Sequence, residues 1–395
     1  MRRWQYSDTV LTLCTLAFFV TMAGRLAISP LVPDIIDTFD VSNTVIGVAL
    51  TGMWLTYGIA QYPSGILAER YGERLVIVVS IGGTAVVSLA IAFVPAFVVF
   101  VLATLLLGGV AGLHFSVAIS FLEGTQERVG TAIGIHNAGG TVAGLLTPIV
   151  ITWIAVRYGW RPALAAVAVV GIPATLLFAR LIRPIERSPS TPAIRDRFSP
   201  EFVRRLLSSP SIGVTLYVAV LSELAWLGTA SFLPTFLVEH RGQSTTTAGA
   251  LFSAYFVVQG FAQVGVGTVS DRIGHDNAIV GCMLAGAFGF WLIIAAPVFA
   301  AVAVGVGLVG VGMSFGPAVM QRILDELPDE EQNAGFGLVR TIYMIVASLG
   351  PAMMGLVADA FDLAISFGFL AALLLSVVAV YVFSSSKSQV GVRIC

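Results

Sequence analysis

The stretch Gly65-Ile-Leu-Ala-Glu-Arg-Tyr-Gly-Glu-Arg74 sets four charges between two long apolar runs, and the chain repeats it as Gly267-Thr-Val-Ser-Asp-Arg-Ile-Gly-His-Asp276. Gly65 pairs with Gly267, Glu69 with Asp271, Arg70 with Arg272 and Gly72 with Gly274. Two copies in equivalent places mark a duplicated architecture. The pattern reads as a short polar loop between two membrane spans.

Composition sets the class. Of 395 residues, 57% are hydrophobic and 11% charged, against about 25% charged in ordinary soluble domains. The charges cluster between apolar runs of roughly twenty residues or more, long enough to cross a hydrocarbon core of about 30 Å. Cys14, Cys282 and Cys395 are too few and too scattered for a disulfide framework or a metal site. The first apolar run is too long for a signal-peptide core, so no cleavable signal is expected.

Twelve spans are predicted: 10–36, 44–67, 75–94, 97–122, 129–156, 162–181, 212–238, 246–269, 278–297, 299–323, 334–357 and 363–383. Short connections make neighbouring spans antiparallel helices. The exception is the Pro-, Ser- and Arg-rich stretch 183–210, which splits the spans six and six, with a short surface helix expected near 201–207. The expected domains are an N-terminal six-helix bundle (1–182), a cytoplasmic linker (183–210) and a C-terminal six-helix bundle (211–395).

Loop charge sets orientation. From Arg180 to Arg205 seven arginines face Glu186, Asp196 and Glu201, a net of +4. Arg2, Arg3, Arg70, Arg74, Arg128 and Arg272 fall on the same side, whereas Asp34, Asp37, Asp40, Asp359 and Asp362 fall on the other. Cytoplasmic loops retain positive charge, so both termini and the linker are expected in the cytoplasm, with the protein in the cytoplasmic membrane.

The repeat runs beyond the loop. Ser42, Gly47, Gly58 and Gln61 match Ser244, Gly249, Gly260 and Gln263, and Gly112, Phe115 and Ala118 match Gly312, Phe315 and Ala318. Gly134 and Pro148 match Gly337 and Pro351. Parallel repeats of six spans are a recurring secondary-transporter design.

On these residues the chain resembles the major facilitator superfamily, whose signature between the second and third spans is similar to Gly65–Arg74, with Gly267–Asp276 as its second copy. The resemblance implies an all-α integral membrane fold of twelve helices in two pseudo-symmetric bundles, and rocker-switch alternating access. It also implies that Gly65, Glu69, Arg70, Gly72 and Arg74, with Gly267, Asp271, Arg272 and Gly274, serve in gating. In the family the acidic residue, here Glu69 or Asp271, faces the positive start of a neighbouring helix and latches that side shut.

A narrower resemblance is to the family's anion:cation symporter branch. It rests on Arg25-Leu-Ala-Ile-Ser29 with Pro33, on Ser231-Phe-Leu-Pro-Thr-Phe-Leu237, on Glu127-Arg128 followed by Ala132, Gly134, Ile135, Asn137 and Gly139, and on Tyr158-Gly-Trp-Arg161. Two positions depart from that pattern. Gly24 and Gly112 stand where the branch often carries acids, and the family's frequent arginine in the fourth span is missing around Thr104-Leu105. The usual proton route is therefore in question, as is a proton-driven multidrug mechanism that uses that arginine.

The intramembrane polar residues supply the site candidates. Arg25 lies about 22 Å along its span, where a guanidinium needs water or a partner and offers a planar fork to a carboxylate or similar oxyanion. Substrate contact is weighed there against a structural ion pair. Glu223 is the candidate that pairs with Arg25, carries a proton or holds a cation. His114 is a second coupling candidate, weighed against a hydrogen-bonded structural histidine. Asn137 is favoured over its neighbour His136 as the cavity residue. Arg340, equivalent to Asn137 by the repeat, is a second anion contact or a partner for Glu223 or Gln321. Tyr57, Gln61, Gln263 and Tyr343 are further lining groups.

The expected function is secondary transport of a small organic or inorganic anion, coupled to a proton or sodium ion. Efflux of apolar or cationic compounds past Trp54, Trp226 and Phe256 is the alternative, and a membrane sensor or bilayer-embedded enzyme a third. No nucleotide loop or nucleophile–base pair is evident, so no enzymatic activity, cofactor or nucleic-acid partner is expected, and the protein is expected to be a monomer in the lipid bilayer. A reporter fused to the C-terminus tests the orientation: a green fluorescent protein should fluoresce and an alkaline phosphatase should be inactive, with the reverse pattern if the termini face outward.

Overall fold

The computed structural model describes residues 5–183, 204, 206, 208–327 and 332–391. The basic centre of the linker, the helix expected near 201–207 and most of the acidic stretch after Leu327 fall largely outside these residues. The described chain is helical. The first half runs α1 (Tyr6–Leu26), a 3-10 turn (Ser29–Leu31), α2 (Val32–Phe39), α3 (Asn43–Tyr71), α4 (Glu73–Ile91), α5 (Phe97–Gly112), α6 (Phe115–Glu123), α7 (Val129–Tyr158) and α8 (Trp160–Leu181). The second half runs α9 (Pro210–Thr235) with a π turn (Phe236–His240), α10 (Thr245–Ile273), α11 (His275–Ala295), α12 (Phe299–Gly312), α13 (Gly316–Asp325), α14 (Gln332–Ala347), α15 (Gly350–Ala360) and α16 (Leu363–Gly391).

Eleven of the twelve predicted spans are long and apolar enough to cross a membrane. The remaining one, α3, has the length at 29 residues but is diluted by Thr51, Thr56, Tyr57, Gln61 and Ser64. A polar helix in such a fold faces its own bundle or water rather than lipid.

The signature stretch is not a loop. Residues 65–71 complete the last turns of α3, the direction changes at Gly72 alone (φ 83°), and α4 starts at Glu73. The second copy does the same at Gly274 (φ 90°). Ala, Leu, Glu and Arg are good helix formers, so the charges prolong the helix beyond its apolar run. Only glycine adopts the required left-handed backbone without strain.

The duplication is visible in contacts. Ser42 Oγ accepts from the Val45 amide at 3.4 Å and Ser244 Oγ from that of Thr247 at 3.1 Å, each starting its helix. A Cβ on Gly108 would lie 2.0 Å from the Met53 carbonyl oxygen, and one on Gly310 2.8 Å from that of Tyr255. Both pairs keep the 202-residue offset of Gly65 and Gly267. Gly312, matched to Gly112 in sequence, instead packs on Gly286 of α11, while Gly112 packs on the Tyr57 carbonyl of α3. The repeat here is therefore carried by the contact register, two residues away from the glycine match.

Contacts divide the chain into two compact units. The first holds residues 1–192 with 230–253 and 351–356, and the second holds the rest. Within the first unit two helix crossings are built alike. A Cβ on Gly47 of α3 would meet the Pro351 carbonyl of α15 at 2.5 Å, and one on Gly249 of α10 the Pro148 carbonyl of α7 at 3.1 Å. The Ala352 amide, freed by the break before α15, donates to Thr51 Oγ1 at 3.0 Å. The second unit is held together by α11, packed on α12 and α16.

The glycine contacts give a paired prediction. Gly108→Ala should lower the melting temperature of the detergent-solubilised protein by several degrees, through overpacking that costs about 1–3 kcal/mol. Gly109→Ala, with nothing within 4 Å of the added Cβ, should leave it unchanged. Equal melting temperatures for the two variants would overturn the close-approach account.

Candidate functional site

Arg25 ends α1, one residue before the chain leaves the α-helix, and is 3% exposed. Its Nε donates to the Thr21 carbonyl at 3.2 Å and an Nη contacts Met22 Sδ at 3.3 Å. The guanidinium carbon lies 3.9 Å from the Tyr57 ring centroid and 5.0 Å from that of Trp54. Trp54 and Tyr57, one helical turn apart on α3, meet edge to face. The two rings hold the cation from one side, an arrangement worth about 2 kcal/mol when desolvated. Among the described residues of its unit, no carboxylate forms a salt bridge with Arg25.

The two departures from the symporter pattern are places without room. A Cβ on Gly24 would come within 2.6 Å of Thr84 Cγ2, and one on Gly112 within 2.3 Å of the Tyr57 carbonyl oxygen. An acid at either position would push α1 off α4 or α5 off α3. Close packing takes the place of a carboxylate at both positions, and the buried Arg and Glu side chains described in the first unit are Arg25 and Glu73.

His114 sits in the break between α5 and α6, with His136 of α7 beside it at 5.3 Å between ring centroids. Both side chains are fully buried. Asn137, the neighbour favoured from sequence, is exposed instead. In the second unit Glu223 interacts electrostatically with Arg340 and with Tyr255, so Arg340 is a charge partner that Glu223 finds in its own unit. Gln61, Gln263 and Tyr343 are half-buried. Gln259 donates to the Met313 carbonyl at 2.7 Å and ties α10 to the break between α12 and α13. A crevice of about 210 Å³ between α1, α7 and α8 is lined by apolar groups and Thr147 and does not include Arg25.

At the signature turns the attachments fall on the last residues. Arg74 donates to the Ala179 carbonyl of α8. Arg322 of α13 binds Asp276, donates to Thr215 Oγ1 at 3.0 Å and lies over the Tyr381 ring. His275 bridges Ser270 at 2.5 Å and Asp325 at 3.2 Å. Glu69 and Asp271, expected to latch onto a neighbouring helix, are exposed and have no bonded partner among the described residues. Arg70 lies over Tyr71, 5.2 Å from its centroid, and Arg272 is exposed.

The Major Facilitator Superfamily profile matches residues 14–245 and 215–392, which together span nearly the whole chain. The chain belongs to the Major Facilitator Superfamily. Within this superfamily it is 23% identical over 370 residues to the hexuronate transporter of Bacillus subtilis (strain 168), covering 87% of this chain and 86% of that protein. It is 26% identical over 292 residues to the multidrug resistance protein MdtG of Enterobacter lignolyticus (strain SCF1), covering 69% and 67%. Its fold matches the crystal structure of a bacterial homologue of the human lysosomal transporter Spinster with a TM-score of 0.84, at 16% identity over 98% of each chain. This superfamily member is a multi-pass membrane transport protein.

The aromatic seat of Arg25 is testable by a double-mutant cycle on melting temperature. Tyr57→Phe keeps the ring and should be near neutral, whereas Tyr57→Ala should destabilise by about 1–2 kcal/mol. That loss should shrink in an Arg25→Met background. Additive effects would mean that ring and guanidinium do not interact.

Proposed function

We propose that this protein is a secondary transporter of a small anion, with Arg25 as the group that neutralises the cargo. The observation that carries this reading is a buried guanidinium seated on two aromatic rings, with no salt bridge to a carboxylate among the described residues of its unit. A charge buried in a membrane-spanning bundle is costly unless it is compensated, and an anionic cargo supplies the missing partner while the planar fork selects an oxyanion. The likeness to a hexuronate transporter agrees with a carboxylate as the first cargo to try. Arg340, Asn137, Tyr57, Gln61, Gln263 and Tyr343 are the further candidate contacts.

Transport proceeds by alternating access. The N-terminal bundle (1–182) and the C-terminal bundle (211–395) move about the linker (183–210), with the termini and linker in the cytoplasm. The Gly47–Pro351 and Gly249–Pro148 crossings gate the outer side, and the signature turns gate the inner side, where Glu69 and Asp271 are available to latch in another conformation. A proton or sodium ion drives the cycle, with His114 and Glu223 as candidate carriers. The efflux reading is weaker for cations, because Arg340 opposes the Glu223 charge that would attract them.

Uptake of radiolabelled glucuronate, the first probe, and of a panel of small carboxylates into proteoliposomes tests the proposal. Uptake should be saturable for at least one of them, and Arg25→Lys should reduce it tenfold or more, because an ammonium does not reproduce the bidentate fork. Full uptake at unchanged affinity in both Arg25→Lys and Arg340→Lys would refute the anion-contact reading.

A further inference from the structure

We propose that His114 and His136 together form a proton-binding site, in which the two imidazoles hold a single shared proton inside the first unit. Both rings are 0% exposed, and none of their four nitrogens has a hydrogen-bond partner among the described residues. The main chain of Cys14 approaches His136, short of hydrogen-bond geometry. A neutral imidazole carries one donor and one acceptor, and leaving both unmet in a buried site is expensive. Two such rings side by side have a common remedy. After a rotation of the ring planes, now 37° apart, the N–H of one ring can donate to the bare nitrogen of the other, and one added proton turns that bond into a stronger, charge-assisted one.

The surroundings act on a delocalised cation in both directions: burial and the Arg25 charge oppose it, and aromatic stacking favours it. Phe18 of α1 stacks on His136 at 4.9 Å and on His114 at 5.9 Å, offering the electron-rich face of its ring. The charged or titratable neighbours that act on the pair are Arg25 of α1, on His114, and each ring on the other, while the main chain of Cys14 lies against His136. The charge of Arg25 acts on His114 directly.

Two cations in one unit repel, which fixes the sign of the coupling. While Arg25 is uncompensated it opposes the proton, and an anion bound to Arg25 removes that opposition. By linkage, the proton then tightens the hold on the anion by the same factor. Anion and proton therefore bind together, as symport requires. This coupling rests on the anion reading of Arg25, whereas the proton site itself does not.

The test is ¹⁵N NMR of the full-length protein labelled at its four histidines in nanodiscs, titrated from about pH 4 to pH 9. His114→Gln and His136→Gln provide the assignments. The expected result is that His114 and His136 titrate as one unit taking up one proton, and that replacing either ring abolishes uptake by the other in this range. In Arg25→Gln the pH of half-uptake should rise by about one unit, as removal of one nearby charge in a partly polar interior predicts. Independent titration of the two rings, or no uptake by either in both wild type and Arg25→Gln, overturns the proposal. Wild type and Arg25→Gln decide this even if a histidine variant fails to fold. If the pair titrates as expected while Arg25→Lys leaves anion uptake intact, the proton site stands and the anion reading falls.

Discussion

A guanidinium buried among membrane-spanning helices is the constraint to which the first unit is fitted. Helices in a bilayer satisfy their own backbone groups, but a fixed cation has to find its compensation from neighbours. Around Arg25 that compensation is partial: a carbonyl one turn back, a thioether, and the faces of Tyr57 and Trp54. Gly24 and Gly112 leave no room for a side chain nearby, because both positions are filled by close helix contact. Arg25 is thus held without being neutralised, a state suited to receiving an anion. The unpartnered histidine pair lies in the same unit, within electrostatic reach of that charge.

The duplicated scaffold frames these groups with few side-chain bonds. Glycine-to-carbonyl contacts at Gly108 and Gly310 bring paired helices together, and the crossings of Gly47 on Pro351 and Gly249 on Pro148 repeat one design with the halves exchanged. Small residues at crossings allow backbone approach where lipid offers no hydrophobic driving force. Contacts of this kind have little lateral anchoring and suit a protein that must break and remake them. At the signature turns the attachments run through Arg74, His275 and Asp276. That leaves Glu69 and Asp271 exposed.

Much of the fold was legible because duplication and hydropathy are long-range patterns. The repeated Gly65–Arg74 motif, the spans and the isolated positions of Arg25 and Glu223 could all be read from the chain. The geometry of the signature turn could not, because charge clusters suggest loops whereas Glu and Arg also extend helices. Asn137 was favoured over His136 on a motif match. The structure buries His136 and leaves Asn137 exposed, with α7 set against α1 by the contacts of Gly139 with Thr15 and Gly140 with Phe18, a rotation that no local pattern encodes. The Trp54–Tyr57 seat did leave a signal, two aromatics one turn apart on the least apolar span. Its meaning depended on knowing that α3 lies beside α1. Arg340 was weighed from sequence as a partner for Glu223 or Gln321, and the fold brings its charge to bear on Glu223 across more than a hundred positions.

The claim that the buried Arg25 cation selects an anion is tested most directly by equilibrium binding to the purified, full-length protein. Calorimetric titration with a set of small carboxylates should be compared with titration by their uncharged counterparts, such as glucuronate against glucose. The account predicts measurable binding for at least one carboxylate, at least tenfold weaker binding for its neutral counterpart, and loss of that discrimination in Arg25→Gln. Equal affinity for charged and neutral members of each pair, unchanged in Arg25→Gln, would contradict it.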